Sequence, residues 1–244
     1  MIDAILFDLG DTLFHYEKQS TSTLVEEGLR PLHDRLTQLG YPLPAFRSYL
    51  RTMKWNFVRG LVWSRLSRRE VKLLEGIHRM HQRMGVEMEF QRTCEHCLKH
   101  MKPAVGKYFV AADGATDVLI EFQTAGYKLG IVSNTVMPGS AVDAMLSDHG
   151  LIKFFPVRVY SSEVRYMKPD QRIFRMALQR LSTPPGRALF IGDHAVNDIR
   201  GAAAVGMRTV LAVHGPRVPR TPVRPDHVIR ALAELPPILQ SYKT

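Results

Sequence analysis

Four clusters in this sequence carry the side chains that could do chemistry. They are Phe7-Asp8-Leu9-Gly10-Asp11-Thr12-Leu13, Ile131-Val132-Ser133-Asn134, Lys168-Pro169-Asp170 and Ile191-Gly192-Asp193-His194-Ala195-Val196-Asn197-Asp198. Carboxylates serve as nucleophiles or as oxygen donors to hard cations. A lysine offsets negative charge, and a Ser-Asn pair offers a hydroxyl and main-chain N–H groups to an anion. Taken singly, each has a plainer reading. An Asp closing a turn is common, and Asn134 or Asp170 alone is accounted for as a turn or cap residue. The weight lies in the set and its order.

Those clusters need elements to hold them. Residues 2–7 are short, apolar and end at a Gly/Asp/Thr turn, which reads as a buried strand. From about 20 to 105 the periodicity is helical, punctuated by Pro42, Pro44, Gly85 and Pro103 into three or four helices. Beyond Pro103 the pattern alternates: helix 113–124, strand 128–132, helix 139–148, strand 157–160, helix 170–181, strand 188–191, helix 198–205 and strand 209–213. The Pro/Arg/His-rich stretch 214–227 reads as an exposed connection before a last short helix. Alternation of this kind predicts an α/β fold: a Rossmann-like, mainly parallel sheet with helices on both faces, plus a smaller all-α domain. Expected boundaries are 1–15 with 106–244 for the α/β core and 16–105 for the helical domain. Ligands of such sheets bind beyond the carboxyl ends of the strands, where Asp8, Ser133-Asn134 and Gly192-Asp193 fall.

The set resembles the haloacid dehalogenase (HAD) superfamily, in the branch whose helical cap is inserted between the first and second motifs. The resemblance covers nearly the whole chain, and Lys168-Pro169-Asp170 and Gly192-Asp193-x4-Asp198 are its specific parts. It implies a hydrolase in which Asp8 attacks a phosphate monoester and forms an acyl phosphate. It implies Mg2+ held by Asp8, the Gly10 carbonyl and Asp193, with Asp198 ligating or orienting that shell. Ser133 and the N–H of Asn134 would bind phosphoryl oxygens, and Lys168 would offset charge on Asp8 and the transferring group. The implied partner is a small phosphorylated metabolite.

One position departs from the pattern. Phosphatases of the superfamily usually carry a second Asp two residues after the nucleophile, as general acid and base. Here that position is Gly10, and the acid comes one place later, at Asp11. Three readings stand: Asp11 reaches the site through an altered turn, the leaving group needs little protonation, or turnover is weak. The last gives the alternative function, a binding or regulatory protein on the same fold. A haloacid dehalogenase is third, because those relatives lack the Gly-Asp that is intact here at Gly192-Asp193.

Composition sets the surroundings. The chain of 244 residues is 45% hydrophobic, with a net charge of +10 and two cysteines. No apolar run approaches the ~20 residues of a spanning helix, so no membrane association is expected. The acid at Asp3 argues against a signal peptide. Cysteines this few suit a reducing cytoplasm. The positive excess concentrates in residues 15–105, which hold 16 Lys+Arg against 9 Asp+Glu. Within it, residues 45–69 carry Arg47, Arg51, Lys54, Arg59, Arg65, Arg68 and Arg69, no acid, and Trp55 and Trp63. A basic aromatic cap suits an anionic substrate. The plainer reading is a solvated basic face opposite an apolar one that includes Trp55 and Val58. No recognition motif accompanies the charge, so a nucleic-acid partner is not expected; nothing sets an oligomeric state. Cys94-Glu95-His96-Cys97 with His100 has a zinc-like look but no second ligand pair, so half-buried cysteines are expected instead. His194 reads either as a substrate contact or as an exposed loop residue.

Overall fold

β1 (Ala4–Phe7) is apolar at every position because it lies inside a sheet covered on both sides. The computed structural model describes residues 1–16, 21–67, 73–164, 166–215 and 218–242. In chain order the elements are β1, β2 (Phe14–Tyr16), α1 (Thr21–Gln38), α2 (Phe46–Ser67), α3 (Leu73–Arg83), α4 (Phe90–Gly106) and β3 (Phe109–Ala111). There follow α5 (Ala115–Thr124), β4 (Lys128–Ser133), α6 (Gly139–Asp148), β5 (Val157–Tyr160), α7 (Gln171–Arg180) and β6 (Ala188–Gly192). The last elements are a π-helical turn (Ala195–Arg200), α8 (Gly201–Ala203), β7 (Arg208–Ala212), β8 (His227–Ile229) and α9 (Leu235–Ser241). By contacts the chain divides into two units, residues 1–16, 110–135 and 143–244, and residues 17–109 with 136–142.

The first unit is a six-stranded sheet in the order β5-β4-β1-β6-β7-β8. Every described pairing in it is parallel. The chain lays β4 and β5 on one side of β1, then returns to lay β6, β7 and β8 on the other. The order therefore reverses at β1, which opens a crevice at the carboxyl ends of β4, β1 and β6. Alternation along β1 sends Ala4 and Leu6 to one face, where Val132, Val159 and Phe190 pack with Ile173, Phe174, Ala177 and Leu178 of α7. Phe7 points the other way and meets Phe155 edge-on at 6.0 Å. β2 and β3 pair as a separate two-stranded ribbon.

Two expectations for this unit are corrected. The stretch 214–227 is not merely a connection: it leads into β8, a sixth strand whose Val228 pairs with Leu211. The reading of residues 198–205 as one helix gives way to the π-helical turn and the short α8.

In the second unit each of the helices α1 to α4 packs on the next, and α4 closes the ring against α1. Leu29, Leu32 and Leu36 of α1 meet Tyr49, Leu50 and Met53 of α2, Ile77 and Met80 of α3 and Cys97 of α4. The buried positions of α2 (49, 50, 53) follow helical spacing, and that spacing turns Trp55 about 200° away from Met53. The expectation that Trp55 and Val58 join the packed face is therefore wrong: they are 63% and 51% exposed. They line an open groove with Leu50, Arg47, Arg51 and Lys54. Lys54 is tied down, donating to Ser22 Oγ at 2.7 Å and lying 3.8 Å from Glu26. Arg68 and Arg69 of the sequence reading lie outside the described residues. No helix among the described residues is long and apolar enough to cross a membrane.

Among the described residues, no gathered group of metal-ligating atoms includes Cys94, His96, Cys97 or His100. Cys97 is buried in the bundle core and not half-buried as expected, and burial, with Cys94 adding to it, pushes its thiol up to about 12. His96 instead stacks on His100 at 5.8 Å.

The bundle core has one polar contact with a consequence. Tyr49 Oη and His81 Nε2 share a 2.9 Å hydrogen bond, and His81 is 1% exposed. Burial first, then the neighbouring His78, lowers the His81 pKa from 6.5 to about 4. A histidine kept neutral in the folded state contributes stability that is full above pH 6.5 and is lost as pH falls toward 4. The loss is about 3 kcal/mol at most. Both tryptophans of the chain, Trp55 and Trp63, lie on α2, so tryptophan fluorescence follows unfolding of this unit. Urea melts between pH 7.5 and 4.5 should show the decline, and His81→Gln should flatten it. An equal slope in the variant would clear His81 of the effect.

Candidate active site

Four segments bring the site together at the carboxyl edge of the sheet. Asp8 prolongs β1 by one residue, its N–H donating to the Ile191 carbonyl at 2.9 Å, and its side chain is buried. Ser133, also buried, is the last residue of β4. Lys168 lies in the loop before α7, ahead of a cis bond to Pro169. Its Nζ sits 2.6 Å from Asp8 Oδ1 and 2.6 Å from Asp198 Oδ1. Asp193 follows β6, and Asp198 comes from the π-helical turn, a geometry that recurs at functional sites.

That turn is built to aim Asp198 inward. His194 caps it, Nδ1 accepting from Val196 N–H at 3.2 Å and from Asn197 N–H at 3.1 Å. The His194 N–H in turn donates to Asp198 Oδ2 at 2.9 Å. His194 is thus a capping residue, exposed as one of its two sequence readings had it. A Cβ on Gly192 would lie 2.5 Å from the Asp198 carboxyl group, so glycine is required for the carboxylate to pass this close to the strand. Gly192→Ala should displace Asp198 and cost about 1–3 kcal/mol by overpacking. Thermal melts would measure it, and an unchanged midpoint would contradict the crowding.

Electrostatically the site holds more acid than base. Oxygens of Asp8, Asp193 and Asp198 lie within 4.8 Å of one another, and one ammonium serves two of them. Burial opposes the charge on Lys168, but Asp8 and Asp198 together outweigh it and hold its pKa above the usual lysine range. Burial raises the Asp8 carboxyl against the pull of Lys168. Asp193 is pushed up to about 7 by burial, then by Asp198, Asp8 and Asp11. Asp198 Oδ1 has its ion pair but no hydrogen bond of good geometry. Three crowded oxygen donors with a spare negative charge fit a divalent metal ion, and among the described residues no other His, Cys, Asp or Glu group does.

Not every expected residue converges. Gly10 lies in a turn closed by the N–H groups of Leu13 and Phe14 on the Leu9 carbonyl, at 3.0 and 2.9 Å. Asp11 takes a left-handed φ of +50°, its carbonyl accepts from His214 Nε2, and its side chain is exposed. The Asp11 carboxylate makes no hydrogen bond to Asp8, Lys168, Asp193 or Asp198, though it is near enough to raise Asp193. The side chain of Asn134 turns to the main chain of Lys168. Sequence reasoning passed over Ser161, which is buried and accepts the Thr135 N–H at 2.9 Å. It directly follows β5, so the strand-end rule that singled out Asp8 and Ser133 reaches it too.

A family model described as haloacid dehalogenase-like hydrolase matches residues 2–206, a span that takes in all four clusters. The chain belongs to the haloacid dehalogenase-like hydrolase family. Among relatives, human haloacid dehalogenase-like hydrolase domain-containing protein 3 is 36% identical over 131 residues, 52% of this chain and 51% of that protein. The glyceraldehyde 3-phosphate phosphatase of Methanopyrus kandleri is 28% identical over 235 residues, 93% of this chain and 91% of that one. The matched stretch spans about half the length of the human relative. Among solved structures, an HAD phosphatase from Thermococcus onnurineus has a TM-score of 0.63 at 21% identity, covering 98% of each chain. A 2-haloacid dehalogenase from Pseudomonas syringae has a TM-score of 0.66 at 20% identity, covering 99% of this chain and 100% of that one. Those two likenesses establish the haloacid dehalogenase-like fold and do not choose between the two chemistries.

Proposed function

We propose that the protein is a magnesium-dependent phosphatase of a small phosphorylated metabolite. The observation that carries this is Asp8, buried at the sheet's carboxyl edge, paired with Lys168 and set beside Asp193 and Asp198. Two further carboxylates beside the nucleophile, Asp193 and Asp198, are what a cation-assisted phosphoryl transfer uses, and the Gly192-Asp193 pair is what the dehalogenases of the family lack. The Methanopyrus relative is named glyceraldehyde 3-phosphate phosphatase, which supports phosphatase chemistry. Residues 16–105 are proposed as the family's cap, and two free cysteines suit a reducing cytoplasm.

In this reading an Asp8 oxygen attacks phosphorus in line, the ester P–O bond breaks, and the phosphoryl group is carried as an acyl phosphate until water releases it. Lys168 pulls the Asp8 carboxyl toward its ionised form against the effect of burial and offsets charge on the transferring group. Ser133 and the Asn134 N–H receive phosphoryl oxygens. Asp8, the Gly10 carbonyl, Asp193 and Asp198 would hold Mg2+, which would offset the negative charge of the phosphate and orient it for attack at phosphorus.

Gly10 supplies no proton to the leaving group, and the exposed Asp11 supports the reading that the substrate's leaving group needs little. A panel of alkyl phosphates, nucleotides, sugar-1-phosphates and acyl phosphates, with magnesium and with chelator, tests this. Acyl and aryl phosphates should outrun alkyl phosphates by about 10²-fold or more, the low end of what a positioned acid contributes. Asp11→Asn should leave all rates within a few-fold. A flat leaving-group dependence, lost in Asp11→Asn, would make Asp11 the acid. The bare position 10 also favours a second reading, a binding or regulatory protein; release of no phosphate above the chelated control from any substrate would select it.

A further inference from the structure

Lys168 does its work through Nζ, but a buried lysine is aimed by its backbone, and one side chain grips that backbone at both ends. Asn134 Oδ1 accepts the Lys168 N–H at 2.8 Å, and Asn134 Nδ2 donates to the Lys168 carbonyl at 3.0 Å. Of the uncharged side chains, only a carboxamide offers donor and acceptor side by side in this way. Asp could accept but not donate, and Gln would stand one methylene too far out.

Asn134 is itself held on both sides. Before it, Ser133 pairs with Tyr160 in the sheet, and its carbonyl accepts the Ser161 N–H at 3.0 Å. After it, the Thr135 N–H donates to Ser161 Oγ at 2.9 Å. The ends of β4 and β5 are thus laced around Asn134, which passes their rigidity to a loop that is otherwise irregular.

We propose that Asn134 is a positioning residue: its carboxamide sets Lys168 against Asp8 and Asp198, and Ser161 holds the segment that presents it. One N–H and the oxygen of the carboxamide are engaged on Lys168, while Ser133 and main-chain N–H groups of this segment stand ready for a bound anion. The catalytic consequence rests on the phosphatase reading above; the geometric one does not.

The two are separated by measuring both. Without any substrate, hydrogen exchange at the Lys168 amide and acetylation of Lys168 by acetic anhydride report the clasp directly. Asn134→Ala should speed each by about tenfold or more at Lys168, and leave surface lysines unchanged. Asn134→Asp, close in shape, should do so by less and covers the case in which the alanine variant does not fold. With magnesium and p-nitrophenyl phosphate, Asn134→Ala should lower kcat by about 10²-fold, the scale of a misplacement of roughly 1 Å, with KM within threefold. In a Lys168→Met background the same change should cost almost nothing, because its effect runs through the lysine. Wild-type exchange and labelling at Lys168 in both Asn134 variants would overturn the clasp. An Asn134→Ala loss that persists undiminished beside Lys168→Met would overturn the positioning role. A wild-type enzyme that releases no phosphate would sink the phosphatase reading and leave the exchange result to decide the clasp.

Discussion

Asp8→Asn is expected to lower kcat for phosphate release by about 10⁴-fold or more, in keeping with removal of a nucleophile that acts as one unit with its surroundings. An amide of nearly the same shape fills the same space but cannot attack phosphorus. The fold should survive, because Lys168 retains Asp198 at 2.6 Å and the replaced side chain sits at the end of a strand paired on both sides. Circular dichroism and a melting midpoint within a few degrees of wild type would show that the loss is chemical. A variant that keeps more than a percent of wild-type turnover would remove Asp8 as the attacking group, whatever the rest of the site does.

Lys168→Met is expected to produce the largest change in stability. It leaves the Asp8 and Asp198 carboxylates buried and facing each other with no cation between them, and breaking a buried pair in this way costs about 3–5 kcal/mol. The cost depends on conditions in a defined direction. Burial already raises the Asp8 carboxyl, and loss of the lysine, whose charge pulls it down, raises it further. A carboxyl whose folded pKa exceeds its unfolded one is destabilising in its ionised form, so the deficit should be greatest near pH 8 and shrink toward pH 5. Magnesium should recover part of it by binding only the folded state. Urea melts at the two pH values, each with magnesium or chelator, would measure both trends. A deficit independent of pH and metal would mean that Lys168 matters for packing alone.

The strands around these residues were legible because their signal is local. β1 and β6 are unbroken apolar runs that stop at a polar residue, and β4 and β7 carry such runs after Lys128 and Arg208-Thr209, which is the mark of strands buried on both faces. β8 was not, since His227-Val228-Ile229 is three residues long beside an Arg- and Pro-rich stretch, and only pairing with β7 makes it a strand. The π-helical turn was likewise invisible: the residues from Ala195 to Arg200 suit an α-helix, and it is the His194 cap and the inward pull on Asp198 that widen the coil. Trp55 shows the cost of reading an amphipathic face from residue type, for the packed stripe runs through Tyr49, Leu50 and Met53 and leaves the larger side chain outside. At the site, residue identities told which groups could act. They could not tell that the Asn134 side chain is spent on Lys168, because that hydrogen bond joins positions 34 residues apart through a loop of no regular pattern.

The place of β1 in the sheet also constrains how the protein comes to exist. Ala4 is matched on one side with Lys128 and on the other with Ala188, so the strand that leads into Asp8 is made long before either of its neighbours. During synthesis its two open edges and its apolar side chains must wait for more than half the chain, a long exposure of the kind that invites wrong pairing. The helices α1 to α4, which pack on one another within a continuous stretch of sequence, have no such wait and are expected to form while β1 is still single. A ribosome-bound chain truncated before β6 would therefore carry a folded bundle and no site, and activity would arrive all at once, late, with the strand that brings Asp193.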